Sequence, residues 1–102
     1  MTDADRPAML GYFLETFLMT PAQQDRARNL LIDFADRAGS RMTAIYMEAL
    51  DSQPAAIESL IETARRDGVP AVAITTADSL TEQHRRALED AGIRLLIAGD
   101  PP

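Results

Sequence analysis

The sequence contains no cysteine, no tryptophan and no lysine, and it has a single histidine. Without cysteine, the chain can form neither a disulfide nor a thiolate metal site. No apolar run approaches the roughly 20 residues that span a membrane. The acidic first residues lack the basic segment that begins a secretory signal. We therefore expect a cytoplasmic protein that does not associate with membranes.

Positive charge is scarce. The chain has 16 acidic side chains against 10 basic ones, all arginine, and its formal net charge is −6. Proteins that bind a phosphate backbone normally carry clustered Lys and Arg side chains. The overall field of this chain would repel nucleic acid, so we expect no nucleic-acid binding by the chain alone.

The remaining composition, 46% hydrophobic and 25% charged, is typical of a globular chain. A length of 102 residues suits one hydrophobic core. We therefore predict a single domain over residues 1–102, with residues 1–7 and 100–102 as flexible tails.

Short apolar runs indicate four strands. Residues 8–14 and 69–76 are continuous apolar runs, which is typical of strands covered on both faces. Further strands are predicted at residues 42–50 and 93–99. No internal repeat or low-complexity tract interrupts this pattern.

Capping signals mark the helices between these strands. The first helix has Thr20 as N-cap, Pro21 at its first position and Gln23 completing a capping box, and it stops at Gly39. Its predicted apolar stripe consists of Ala27, Leu30, Leu31, Phe34 and Ala38. The second helix covers residues 54–67 and stops at Gly68.

The third helix is predicted to open with a capping box from Ser79 to Glu82 and to end at Gly92. The complete order is β-α-β-α-β-α-β. This order predicts a three-layer α/β/α sandwich on a four-stranded parallel sheet, with strand order 2-1-3-4.

Acidic and hydroxyl side chains gather at the carboxyl ends of these strands, where open parallel sheets bind ligands. If a metal binds there, the carboxylates to hold it are Glu15, Asp51 and Asp78. We expect no metal and no other cofactor, because acids at helix starts are ordinarily solvated and favoured by the helix dipole. His84 has no cysteine partner and lies on the apolar side of its helix, which favours a place at the core edge.

Four segments of the sequence resemble the catalytic domain of the serine recombinases (the resolvase/invertase family). They are GYFLET, QQDRARNLL, YMEALDSQPAAIESLIETARRDGVPAVAITTADSL and LEDAGIRLLIAG. The resemblance covers residues 10–98 and implies a resolvase-like fold. That family opens with Tyr-x-Arg-Val-Ser, in which Ser is the nucleophile and Arg binds DNA phosphate. Tyr12 matches the Tyr, Leu14 takes the Arg place and Thr16 takes the place of the nucleophile.

The other arginines of the family are also replaced. Its Arg-Pro falls on Gln53-Pro54, and its Asp-Arg-Leu-x-Arg falls on residues 78–82, which places Ser79 and Glu82 at the arginine positions. Phosphoryl transfer depends on stabilising charge on the transferring phosphate. The resemblance therefore implies a degenerate site without catalytic activity, and the family's DNA-binding domain has no counterpart in the sequence.

Three large apolar residues, Phe17, Leu18 and Met19, follow the first strand. Such a loop either folds back over the sheet or forms an exposed patch for a partner. We take it as the candidate interaction loop, with another protein or a second copy of the chain as the partner.

The leading hypothesis is a non-catalytic resolvase-like domain that acts by protein–protein interaction. One alternative is a residual recombinase-type enzyme that uses Thr16 for phosphoryl transfer. Another is a small acidic domain that binds a ligand or metal at the strand ends.

Overall fold

The computed structural model describes residues 6–15, 19–49, 55–76 and 80–99. Within them, four strands alternate with three helices: β1 (Ala8–Glu15), α1 (Pro21–Arg37), β2 (Arg41–Ala49), α2 (Ala55–Asp67), β3 (Ala71–Ile74), α3 (Glu82–Asp90) and β4 (Arg94–Ile97). The strands pair in parallel in the order β2-β1-β3-β4. The predicted sheet and its order are confirmed.

Helix α1 begins as the sequence predicts. The Gln23 amide donates to the Thr20 hydroxyl at 3.2 Å, and the Thr20 amide donates to the Gln23 side chain at 2.9 Å. Pro21 occupies the first turn, and Gly39 follows the helix with a φ of 75°. Both end signals are local to the helix, which is why the sequence reveals them.

The buried face of α1 differs from the predicted stripe at its end. Leu31 and Ala35 are fully buried, whereas Ala38 is exposed. Ala38 is the C-cap residue, so it lies beyond the last turn that faces the sheet. The prediction was wrong for Ala38, and it omitted Ala35.

The start of α3 also differs from the prediction. The N-cap is Thr81, whose hydroxyl accepts the His84 amide at 3.3 Å, and the helix begins at Glu82. Ser79, the predicted cap, lies outside the described residues. Leu80 is buried in the core just ahead of the helix, and this burial places the first helical turn after Leu80.

Strands β3 and β4 are shorter than their apolar runs. Val69 and Ile93 precede these strands, and their amides donate to the carbonyls of Ala64 and Leu88, both at 2.9 Å. These two residues therefore complete the ends of α2 and α3. Both side chains are nevertheless buried, so the apolar pattern reports burial rather than strand pairing.

The core has one layer on each face of the sheet, and β1 contributes to both. Leu10 and Tyr12 of β1 pack on the side of α2 and α3, while Met9 and Phe13 pack on the side of α1. No helix among the described residues is long and apolar enough to cross a membrane.

The residues just before β1 contact the domain. Arg6 forms an ion pair with Asp36 at 2.6 Å, and the Pro7 carbonyl accepts the Arg41 amide at 2.9 Å. The rest of the predicted tails, residues 1–5 and 100–102, lie outside the described residues.

Candidate functional site

The last residues of all four strands lie within the described part of the chain, and together they form the carboxyl edge of the sheet. Glu15 ends β1, Glu48 lies one residue before the end of β2, and Gly99 follows β4. The Gly99 backbone lies so close to the Thr75 carbonyl, just after β3, that a side chain at position 99 would collide with that oxygen. The Ala98 amide donates to the Ile74 carbonyl at 2.7 Å, so hydrogen bonding between the ends of β3 and β4 continues to this edge.

Glu48 is buried, with 6% of its surface exposed. Its carboxylate accepts the amide of Ala56 and the amide of Ile57, both at 3.2 Å. These amides belong to the first turn of α2, where helical N–H groups have no intrahelical acceptor. A helix N-terminus attracts anions, and here the chain supplies that anion from the neighbouring strand.

Tyr12 lies against the same carboxylate. Its side chain is 2% exposed, and its hydroxyl donates to Glu48. Burial, followed by the negative charge and the hydrogen bond of Glu48, raises the pKa of Tyr12 to about 12. The phenol therefore stays protonated, and the donors to Glu48 include the two amides and this hydroxyl.

This arrangement predicts that alkaline pH destabilises the fold through Tyr12. The folded-state pKa lies above the usual value of 10, so the stabilisation is complete below pH 10 and is lost as the pH rises toward 12. We expect a loss of about 2 kcal/mol in the free energy of unfolding between about pH 8 and about pH 11.5, measured by urea titration.

Tyr12→Phe should remove most of that alkaline loss. Tyr46→Phe is the matched control, because the Tyr46 hydroxyl bonds to the Thr63 hydroxyl at 3.1 Å instead of to a carboxylate. An alkaline loss that persists in Tyr12→Phe but disappears in Tyr46→Phe would contradict the assignment.

Glu15 is directed elsewhere. Its carboxylate accepts the side-chain amide of Gln24, on α1, at 3.2 Å, so the acids of β1 and β2 bond to different helices. Among the described residues, no three His, Cys, Asp or Glu side chains converge as a metal site. Asp51 and Asp78, the other predicted metal candidates, lie outside those residues.

Two of the positions aligned with family arginines are described. Leu14 is half-buried and pairs in register with Glu48, so this position is apolar and lies beside a carboxylate. Glu82 is exposed on the first turn of α3, where it accepts a hydrogen bond from Arg86 at 3.2 Å. Gln53, Ser79 and the nucleophile position Thr16 lie outside the described residues.

The predicted interaction loop is described only at its end. Met19 is half-buried and packs against the core cluster on the α1 side, which includes Met9, Phe13 and Leu31. This end of the loop therefore folds back onto the domain. Phe17 and Leu18 lie outside the described residues.

His84 is half-buried, and its Nδ1 atom lies 2.9 Å from the Thr81 hydroxyl. The half-burial of His84 agrees with the predicted place at the core edge, whereas this contact joins the ring to the N-cap residue of its own helix. The ring belongs to the start of α3, where Thr81 also accepts the His84 amide.

The predicted strand at residues 42–50 places Glu48 near the carboxyl edge of the sheet, but the sequence does not reveal its role as a helix cap. The available signal was a single acid near the end of β2, RMTAIYMEA, in which the only other charged residue is Arg41 at the start. A buried charge requires partners, so a lone acid in such a strand marks a position with donors opposite it.

No protein-family model matches the sequence, and no curated protein matches it either. Among solved structures, the chain is similar to the C-terminal catalytic domain of ISC1926 TnpA, an IS607-like serine recombinase. The TM-score is 0.77 at 18% sequence identity, over 92% of this chain and 71% of that one. The chain therefore has the fold of a serine recombinase catalytic domain, as the sequence resemblance predicts.

Proposed function

We propose that this chain is a non-catalytic domain of resolvase-like fold that acts by protein–protein interaction. The observation that carries the proposal is the occupied N-terminus of α2. Glu48 accepts two amides there and the Tyr12 hydroxyl beside them. These two amides already donate to Glu48, so they are not available to donate to a phosphate oxygen.

Charge at the strand ends supports the same conclusion. A phosphate near α2 would meet the buried Glu48 carboxylate, and like charges at short range in a poorly solvated site repel strongly. Leu14, next to Glu48 in the sheet register, supplies no compensating positive charge. Loss of one stabilising donor commonly reduces a rate by about 10²–10³, and the sequence replaces each family arginine that can be aligned.

The interaction part of the proposal rests on the apolar loop of residues 17–19. Met19 anchors the end of that loop to the core on the α1 side. Phe17 and Leu18, the other two large apolar residues of this loop, are therefore proposed to make the contact with another protein, either a second copy of this chain or a different partner.

The proposal is tested by light scattering of the protein with and without a short DNA duplex at low salt. We expect a mass that depends on protein concentration and is unaffected by DNA. Incubation with supercoiled plasmid and Mg²⁺ should give no nicking.

DNA binding, or nicking that Thr16→Val abolishes, would contradict the proposal and favour the residual-enzyme alternative. A thermal shift that depends on divalent cations and disappears in Glu15→Gln would favour the metal-binding alternative.

A further inference from the structure

The described methionine side chains all lie on one side of the sheet. The sequence has no cysteine and five methionines, and four of these methionines lie in the described residues. Met9, Met19, Met42 and Met47 all belong to the core cluster on the α1 side, and none of the four belongs to the cluster on the side of α2 and α3. The α1 side of the core is therefore the layer that an oxidant of thioethers would change.

The four side chains differ in exposure. Met9 is buried, with 1% of its surface exposed, whereas Met19, Met42 and Met47 are half-buried. The Met42 sulfur is nevertheless directed inward, because it lies 3.1 Å from the position that a Cβ atom would take on the buried Gly11. Oxidation of a methionine requires access of the oxidant to the sulfur atom. The fold therefore protects the sulfur atoms of Met9 and Met42.

Met19 is not held by the sheet. Met42 and Met47 belong to β2, which pairs with β1 along its length. Met19 lies between β1 and α1, outside any strand or helix. Segments outside the hydrogen-bonded core open locally at a lower free energy than paired strands. An oxidant therefore reaches the Met19 sulfur without disruption of the sheet.

The chain is fixed immediately after Met19. The Thr20 amide donates to the Gln23 side chain at 2.9 Å, and the Thr20 hydroxyl accepts the Gln23 amide at 3.2 Å. The packing of Met19 against the cluster on the α1 side ties the end of the loop to the domain. Loss of this side-chain contact would leave the cap of α1 intact and would detach the loop from the core.

We propose that Met19 is an oxidation site whose conversion to methionine sulfoxide releases the loop of residues 17–19 from the core. The inference rests on the proposed function, for which it names a form of regulation. Hydrogen peroxide is the oxidant: its O–O bond breaks, one oxygen atom bonds to the Met19 sulfur, and the other leaves as water. The thioether loses two electrons, and the peroxide gains them.

The sulfoxide changes what the Met19 side chain favours. Oxidation converts a flexible apolar side chain into a polar one, and a polar group in an apolar cluster is costly without a hydrogen-bond partner. Water supplies that partner at the surface, so the oxidised side chain leaves the cluster. A released loop must be ordered again when a partner binds, and this ordering lowers the affinity. Oxidation of Met19 is therefore expected to weaken the association proposed above.

The first experiment measures which methionine is oxidised. The folded protein is treated with dilute hydrogen peroxide, and peptide mass spectrometry follows the gain of one oxygen atom at each methionine. Met19 should oxidise about tenfold faster than Met9 and Met42. In urea-unfolded protein the three rates should be similar. Equal rates for Met19 and Met9 in the folded protein would overturn the inference.

The second experiment measures release of the loop. Chymotrypsin cleaves after large apolar residues, and cleavage after Phe17 reports access to the loop. Met19→Gln places a polar side chain at this position and should raise that cleavage rate about tenfold, as should peroxide treatment of the wild type. Met19→Leu keeps the apolar contact and removes the thioether, so peroxide should leave its cleavage rate unchanged.

Met47→Gln is the matched control, because Met47 is a half-buried residue that packs against the same cluster. General loosening of the α1 side would raise cleavage after Phe34 together with cleavage after Phe17. Release of the loop alone should raise only cleavage after Phe17. A Met47→Gln protein with the same selective increase as Met19→Gln would overturn the assignment to Met19.

These measurements separate the inference from the proposed function on which it rests. Light scattering over a concentration series should show association about tenfold weaker in Met19→Gln than in the wild type. Association and cleavage that Met19→Gln leaves unchanged would overturn the inference, while a wild type that associates and ignores DNA would still support the proposed function. DNA binding or plasmid nicking by the wild type would contradict the proposed function, and the oxidation rates would still test Met19.

Discussion

Replacing Glu48 with alanine is expected to lower the free energy of unfolding by about 3 kcal/mol. The change leaves the Ala56 and Ile57 amides and the Tyr12 hydroxyl without their acceptor. Each buried donor left unsatisfied costs about 1–3 kcal/mol. Removing the carboxylate also relieves its own desolvation penalty, which keeps the total below the sum of the three losses.

The free energy of unfolding is measured by urea titration. Two further variants show how much of the loss comes from the carboxylate of Glu48. Glu58→Ala is the matched control, because Glu58 is exposed in the first turn of the same helix; we expect a change within about 0.5 kcal/mol. Glu48→Gln keeps one carbonyl acceptor and should fall between the two. A Glu48→Ala protein as stable as Glu58→Ala would show that water replaces the carboxylate.

The sheet and its order followed from features that a sequence displays directly. Alternating apolar runs and helical stripes predict parallel strands with crossover helices, and the right-handed crossover leaves few orders for four strands. The Thr20 cap was equally accessible, because donor and acceptor lie three residues apart. Local signals of this kind require no knowledge of tertiary contacts.

The cap of α2 could not be predicted from the sequence in the same way. Glu48 lies eight and nine residues before the amides it accepts, and only the path of the chain from β2 to α2 brings them together. The predicted start of α3 was wrong for a related reason. Ser79 and Thr81 are both acceptable caps in sequence, and the burial of Leu80 decides between them.

The contrast between Leu14 and Glu48 links these observations to function. Each residue alone has an ordinary explanation, as an apolar strand residue and as an acid at a sheet edge. The resemblance assigns an arginine to the position of Leu14, and the register places the Glu48 carboxylate beside that apolar side chain. Under the proposed function, this edge stabilises α2 by internal contacts and needs no ligand.

Gly11→Val should be about as damaging as the loss of Glu48, for a steric reason. Gly11 lies in buried β1, where a Cβ atom would meet Met42 Sδ at 3.1 Å, Leu31 Cδ1 at 3.2 Å and Ile45 Cγ1 at 3.3 Å. A single methyl group can displace these flexible side-chain ends. The two further methyl groups of valine have no space in a packed core, and such overpacking costs about 1–3 kcal/mol or more.

Gly11→Ala separates this steric cost from a backbone effect. Alanine restricts the unfolded chain and so returns about 0.4–1 kcal/mol, which should offset most of the cost of its one methyl group. We therefore expect Gly11→Ala within about 1 kcal/mol of wild type and Gly11→Val lower by about 3 kcal/mol, both from urea titration. Equal stability of the two variants would show that α1 and β2 move apart freely, and that the contact across Gly11 does not fix their spacing.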